Sequence, residues 1–496
     1  MKLRSTIMAV LLVATLWPGG LHGAQPSQER QPGSLRFEPF EYKIEGQTVE
    51  AELGRLVVRE NRSNPTSNLI ELAFVRLKST APQPGPPIIY LEGGPGASAI
   101  GGARFPDYMR AFTKLRETGD VILLDQRGVG YSRPNLTRPS LPLPLNFFVD
   151  QKQALDVIKE RSREAARSFV EQGVDLRAYN TVESADDVDD LRKALGAARV
   201  NLVGFSYGTH LALAVIRRHP EHVNRAALIG TEGPNHTEKL PSTSQRQIEK
   251  ISKLVAADPS VGKKVPDLTG LLKRVLERLE KQPATIRITD RRSNRAVAVQ
   301  VGKFGLQLIL MIDLGDTSDL PIFPALLYTL DKGDYSILAG FVEKRYNQLN
   351  AGIPVMMEVM DAASGATRER RAQISREAQH SLLDNVMNFL DVGEVFGKPD
   401  LGDEYRSAIR TGVPTLFISG SLDNNTPPGQ ADEVRKRFKS SAHIIVKNAG
   451  HEDMLINPQV QQAIADYFGG RDISRVKIAL PALRFLPIPD IKAGDQ

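Results

Sequence analysis

The sequence predicts an α/β fold: a mainly parallel sheet flanked by helices and interrupted, late in the chain, by an inserted and mostly helical cap. Three observations carry this reading. Short continuous apolar runs at Ile88–Leu91, Val121–Leu124 and Val200–Val203 each end in a glycine-bearing or charged turn, as strands buried on both faces of a parallel sheet do. Helical patterns separate them, among them Thr181–Leu195, where Thr181 or Ser184 can cap and acidic residues crowd the first turns as the helix dipole prefers. Ala226–Ile229, Thr415–Ile418 and His443–Val446 then supply three more strands, so strands and helices alternate on both sides of a long helical gap.

In chain order, Met1–Ala24 reads as an export signal. Lys2 and Arg4 precede an apolar stretch of 11 residues, Ile7–Trp17; Pro18–Gly20 breaks it and small residues follow at Gly23 and Ala24. Such a stretch is too short for a membrane span, which needs about 20 apolar residues. Residues 25–48 read as a leader. Val49–Val58 and Leu69–Leu77 flank the turn-rich Asn61–Asn68 as a hairpin, and Pro82–Pro87 is a loop. The first part of the core runs over 49–234. From 235 to 404 helices dominate (Ser242–Ala256, Leu268–Glu280, Phe323–Asp331, Thr367–Phe389), with a hairpin-like pair around Arg291–Arg295. The strand rhythm resumes at Val413, so 405–470 is the second part of the core and 471–496 a C-terminal extension.

Composition excludes more than it proposes. With 496 residues and no cysteine, the chain has no disulfides, thiol nucleophile, zinc–thiolate site or cysteine-ligated cluster. The 64 basic and 58 acidic residues are interspersed, with a net charge of +6 and no stripe suited to nucleic acid. No later segment offers 18 apolar residues in a row, so the processed chain is expected to be soluble.

The chemistry lies in motifs. Val200–Gly208 (VNLVGFSYG) places G-x-S-x-G after a strand and before a helical run, Thr209–Arg218. A serine on so sharp a turn has its hydroxyl exposed, and the small residues two before and two after it, Gly204 and Gly208, allow the chain to close. The nucleophile is therefore Ser206. It requires a base and a group to orient that base. Of the eight histidines, His22 leaves with the signal, while His210, His219 and His222 lie along or at the end of the following helix. His236 opens the cap, His380 sits in a cap helix and His443 in a strand, so only His451, in VKNAGHEDM, follows the last strand in a loop. Asp423, in the turn after Thr415–Ile418, stands 217 residues after Ser206 and 28 before His451, completing the order Ser…Asp…His. After Ile88–Leu91, the LEGGPG turn offers backbone N–H groups at Gly93 or Gly94 that could pair with that of Tyr207 to bind an oxyanion.

LEGGPG, LLDQRGVGYS (Leu123–Ser132), VGFSYG and GSLDNNTP…NAGHEDM together resemble the proline iminopeptidase and tripeptidyl aminopeptidase branch of the α/β-hydrolases, over Val49–Pro234 and Gly412–Phe468. The resemblance implies an α/β-hydrolase fold with Ser206 as nucleophile, Asp423 as orienter and His451 as base. It also implies an oxyanion hole from Gly94 and Tyr207, braced by Asp125–Gly128. The family often has histidine where this chain has Glu92. Strict iminopeptidases place a tryptophan in the cap, whereas the only tryptophan here, Trp17, falls in the signal; the likeness therefore leans toward exported tripeptidyl aminopeptidase-like members.

An aminopeptidase must also hold a free α-ammonium, for which a buried carboxylate is suited. The candidates are Glu232 in GTEGP, preferred because strand-end loops face the site, with Glu92, Glu358 and Asp361 beside it. The expected function is an exported serine hydrolase, periplasmic or secreted, that removes residues or short peptides from free N-termini through an acyl-enzyme. A carboxylesterase with the same triad and an inactive hydrolase-fold binding protein stand as alternatives. The expected partner is a peptide or small ester, with no nucleic acid, metal or cofactor.

Overall fold

The computed structural model describes residues 31–490. The segment Met1–Ala24 read as an export signal, with Trp17, lies outside the described residues.

Across those residues the strands are β1 (Leu35–Ile44), β2 (Gln47–Arg59), β3 (Leu69–Leu77), β4 (Ile88–Leu91), β5 (Val121–Asp125), β6 (Val200–Phe205), β7 (Val223–Ile229), β8 (Ala284–Asp290), β9 (Arg295–Val301), β10 (Thr415–Gly420) and β11 (Ser441–Val446). Nine of them form one sheet in the order β1-β2-β3-β5-β4-β6-β7-β10-β11, and β8 pairs with β9 alone. From β5 to β11 neighbouring strands are parallel; β1, β2 and β3 extend one side antiparallel. This is the α/β-hydrolase architecture. Strands β4, β5, β6 and β10 are buried at every position, which is why their sequences run apolar rather than alternate.

One boundary changes. The segment 25–48, read as a leader, contains β1, whose Leu35–Ile44 pairs residue by residue with Gln47–Leu56 across a tight turn. Only Tyr42 and Ile44 of β1 are buried, because an edge strand presents most of its surface to water. Its sequence therefore lacks the apolar run that marks the central strands, and Pro39, tolerated only at an edge, argues against a strand in the sequence alone.

The cap is helical, as expected, over Pro241–Ala257, Leu268–Lys281, Lys303–Asp313, Phe323–Asp331, Ser336–Asn350, Val355–Ser364 and Arg368–Ala378, with the β8–β9 hairpin turning at residues 291–294. The helix expected over Thr367–Phe389 stops at Ala378. Beyond it, Ser381 and Asp384 bond the backbone N–H groups of Leu383 and Asn385, an alternative that competes with helix continuation.

The cap is also not built from 235–404 alone. Its apolar core takes in Leu143, Phe147, Phe148 and Ile158 from the segment before Ser206, and Phe485 and Ile488 from the C-terminal extension. Conversely Met356 and Met360, on a helix within the cap's sequence range, are buried among core residues beside Tyr207.

The topology brings the C-terminal ends of β4, β6, β10 and β11 to one side of the sheet. The LEGGPG turn, Ser206, Asp423 and His451 all follow those strand ends directly.

Candidate active site

Ser206 sits between β6 and the helix Tyr207–Arg218 with φ 53° and ψ −124°, a left-handed conformation that a non-glycine residue adopts only under constraint. Its N–H bonds the Ile229 carbonyl at 2.9 Å, and its carbonyl accepts from Thr209 N and Thr209 Oγ1 at 2.8 and 2.7 Å. A Cβ on Gly204 would lie 2.6 Å from the Gly208 carbonyl oxygen, and one on Gly208 would overlap the Leu91 carbonyl. Both glycines of G-x-S-x-G are thus required by close backbone approach, as the motif predicts.

Asp423 and His451 meet. Nδ1 of His451 lies 2.9 Å from Asp423 Oδ2, with Asp423 fully enclosed and its other oxygen bound by the backbone N–H groups of Asn425 and Thr426. Burial disfavours the Asp423 charge, but His451 and the Thr426 hydroxyl hold the carboxyl below its usual range. Burial likewise pulls the imidazole down, and the Asp423 carboxylate more than offsets it, so His451 titrates above its ordinary value. The His451 ring packs against Phe205, the residue before Ser206, at 5.0 Å between centroids. Its backbone N–H donates to Gly315 of the cap at 2.8 Å.

The backbone N–H groups expected to form an oxyanion hole can be told apart. Gly93 N–H is taken by Glu92 Oε1 at 2.8 Å, whereas the N–H of Gly94 has no acceptor among the described residues. Tyr207 is the first helical residue, so its N–H has no intrahelical acceptor. The Tyr207 side chain turns away into the core, 2.9 Å from both Thr181 Oγ1 and Met360 Sδ, leaving its backbone to face the turn. Gly93 packs against Ser206: a Cβ there would meet that of Ser206 at 3.0 Å. Asp125 holds the loop beneath, accepting from Ser98 Oγ at 2.8 Å, Ile100 N at 3.1 Å and Tyr131 N at 2.9 Å.

The four carboxylates proposed for substrate binding occupy different environments. Glu92 is buried, bonded to Gly93 and to Tyr90 Oη, and burial pushes it up to about 7. Glu358 is buried with Oε1 paired to Arg138 at 2.9 Å, while its Oε2 has no hydrogen-bond partner among the described residues. Glu232 is buried and ion-paired with Lys239, with His210 Nδ1 at 3.9 Å. Burial opposes its charge, yet Lys239 holds it below its usual range. Asp361 differs: its carboxyl has no hydrogen-bond or ion-pair partner among the described residues, and burial, followed by the nearby Glu232, pushes it up to about 8.

Lys239, Thr209 and Thr426 were not among the residues the sequence singled out. Each acts on a residue that was, and an isolated lysine or threonine in a loop or helix start carries no motif. No metal or cofactor was expected. Among the described residues one three-ligand group, Asp189, His219 and His222, comes within 4.8 Å, but Asp189 is already bound by Arg192 at 2.7 Å and Lys193 at 2.8 Å.

Comparison with known proteins agrees with this architecture. The profile for the alpha/beta hydrolase fold matches residues 86–275, and that for TAP-like protein matches residues 400–473. The serine protease Hip1 of Mycobacterium tuberculosis is 29% identical over 189 residues, 37% of this chain and 36% of that protein. A tripeptidyl aminopeptidase of Streptomyces lividans is 29% identical over 199 residues, again 37% and 36%. A proline iminopeptidase of Xylella fastidiosa is 30% identical over 149 residues, 29% of this chain and 32% of that one. The chain spans about a third of the length of these curated relatives.

Proposed function

We propose that this chain of α/β-hydrolase fold falls in the branch that holds the tripeptidyl aminopeptidases and proline iminopeptidases, and that it is an exported serine aminopeptidase acting on short peptides. The reading is carried by a strained Ser206 elbow whose preceding residue, Phe205, packs on the His451 ring at 5.0 Å, and by a His451 whose Nδ1 is held by Asp423.

In this mechanism the Asp423 carboxylate keeps the proton on Nδ1, so Nε2 of His451 is the base. It takes the Ser206 proton as Oγ attacks the scissile carbonyl. The new oxyanion is held by the N–H groups of Gly94 and Tyr207, each worth roughly 10²–10³ in rate. His451 then protonates the leaving amine, the acyl-enzyme forms, and a water activated by the same imidazole hydrolyses it, restoring Ser206.

Selection of a free N-terminus is assigned to the carboxylate pair Asp361 and Glu232. Lys239 neutralises Glu232 internally, which leaves Asp361 as the acid without a counter-charge. An α-ammonium would supply that counter-charge, whereas an ester's acyl chain would not. Export rests on Met1–Ala24, and with it a periplasmic or secreted location.

Three assays decide among the alternatives. A fluorophosphonate should label wild-type protein and fail to label Ser206→Ala; absence of labelling in the wild type would favour a binding protein. Tripeptidyl and aminoacyl anilides should be hydrolysed faster than short-chain esters, and N-acetylation should abolish turnover of the anilides. Turnover of short-chain esters without turnover of the anilides would establish the carboxylesterase instead.

A further inference from the structure

The two triad loops are tied not only to each other but to the cap. Leu422 N bonds the Ala449 carbonyl at 2.8 Å, linking the loop before Asp423 to the loop before His451. From above, the cap loop after the helix Lys303–Asp313 reaches the second of these. Gly315 accepts the His451 N–H at 2.8 Å, and Thr317 Oγ1 donates at 2.6 Å to Asp453, whose same oxygen accepts the Gly450 N–H at 2.7 Å. The approach is close enough that a Cβ on Gly450 would overlap the Gly315 carbonyl, so a glycine must precede the base.

One side chain joins both halves of this arrangement. Gln247, on the first cap helix Pro241–Ala257, is 6% exposed. Its Nε2 donates to the Leu422 carbonyl at 2.7 Å and to the Leu314 carbonyl at 3.2 Å. Leu422 immediately precedes Asp423, and Leu314 immediately precedes the Gly315 that holds His451. Both acceptors are carbonyls, so the amide must present its NH2 group, and its two N–H bonds account for both contacts. The same helix sends Lys250 to the carbonyl of Ser421.

We propose that Gln247 is a positioning residue for the triad: it sets the separation of Asp423 and His451 by clamping, from the cap, the loop that carries one and the loop that supports the other. The cap is then part of the catalytic scaffold and not only a cover that limits access. The chemistry requires such support, because Asp423 and His451 lie on separate loops after separate strands, and a displacement of about 1 Å in a reacting group can cost 10²-fold in rate. This rests on the reading of Ser206 as nucleophile and His451 as its base.

The test uses two substitutions in the full chain. Gln247→Met keeps the volume and removes both hydrogen bonds; Gln247→Glu places an acceptor against two carbonyls. Rates of Ser206 labelling by a fluorophosphonate, kcat and KM for a peptide anilide, the pH profile and the melting temperature are measured for each. With Gln247→Met folded, kcat and the labelling rate should fall about 10-fold, and further in Gln247→Glu, with KM changed less than about twofold. The acid limb of kcat/KM should also move to lower pH. Burial lowers His451, Asp423 and Glu452 raise it and Lys239 lowers it, so loosening the Asp423 contact removes the main raising influence.

A merely structural role would lower the melting temperature of both variants while labelling rate, kcat and acid limb stayed at wild-type values, and that result would overturn the proposal. Failure of the wild type itself to label would instead overturn the serine hydrolase reading. If Gln247→Glu does not fold, the isosteric Gln247→Met still decides.

Discussion

Oδ2 of Asp423 lies 2.9 Å from Nδ1 of His451 and accepts the Thr426 hydroxyl at 2.7 Å, so one oxygen both orients the imidazole and is itself oriented. With Oδ1 occupied by two backbone N–H groups, the carboxylate has little freedom to turn. Asp423→Asn would keep the shape but present an amide to Nδ1 and favour the wrong tautomer. We expect kcat to fall by about 10⁴-fold with the fold retained, read by steady-state kinetics beside circular dichroism.

The same pair sets the pH dependence. In the proposed mechanism His451 must be neutral to accept the Ser206 proton, so activity should be lost as pH falls and His451 gains a proton. Because the net effect of its surroundings is to raise His451, the acid limb of kcat/KM should lie above the ordinary imidazole value of about 6.5. A limb at or below that value would contradict the orientation described.

Asp361 and Glu232 should respond differently to removal of charge. Asp361→Asn should raise KM for free-amine peptides by about 10-fold or more, the scale of one charge-assisted hydrogen bond, and leave ester hydrolysis unchanged. Peptide affinity should also improve as pH rises toward 8, since burial and Glu232 hold Asp361 protonated below about 8 in the free protein. Equal KM values for wild type and Asp361→Asn across pH 6–9 would remove Asp361 from the binding site.

What the sequence makes legible follows from how local each signal is. The strand runs at Ile88, Val121, Val200 and Thr415 and the elbow around Ser206 are written in consecutive residues, because burial on both faces and close backbone approach each constrain the chain locally. Asp423 and His451 could be reached because each directly follows a strand. By contrast β1 is an edge strand with an exposed face and a proline, so its composition resembles a loop. The cap core gathers Phe147, Val275 and Phe485 from three distant stretches, a union that tertiary packing alone decides. Lys239 and Glu232 lie seven residues apart, too far for a helical or strand periodicity to announce their pairing.

Arg127, in the DQRG segment, tests how far stability depends on a buried charge. It is fully buried and grips Asp187 with Nε and Nη2 at 2.7 Å each, while Nη1 donates to the Glu60 and Ala178 carbonyls at 2.6 Å each. Arg127→Ala would leave the Asp187 carboxylate with Arg62 alone, and loss of one member of a buried pair costs roughly 3–5 kcal/mol. Arg127→Lys should recover little of it, since one ammonium cannot reproduce the planar, four-contact geometry. Urea unfolding monitored by tyrosine fluorescence would measure both; a loss below about 1 kcal/mol for Arg127→Ala would show the pair to be dispensable.

The C-terminal extension fastens cap to core, and its removal should separate their stabilities. Its first half borders the loop that leads to His451: Lys447 N bonds the Ile478 carbonyl at 3.0 Å, Leu480 N bonds the Lys447 carbonyl at 2.9 Å, and Asn448 Nδ2 donates to Leu480 at 2.9 Å. Its second half crosses to the cap, where Leu486 N bonds the Pro321 carbonyl at 2.9 Å, Lys264 Nζ reaches the Ile488 carbonyl at 3.0 Å, and Phe485 and Ile488 enter the cap core. Phe485→Ala removes one buried anchor and should cost about 3–5 kcal/mol of cap stability. Truncation after Leu480 keeps the contacts beside His451 and deletes every one to the cap. The truncated protein should therefore melt in two steps by calorimetry, with the cap unfolding first, where the intact chain melts in one. A single transition at the wild-type temperature would mean that the tail lies on the surface without holding it together.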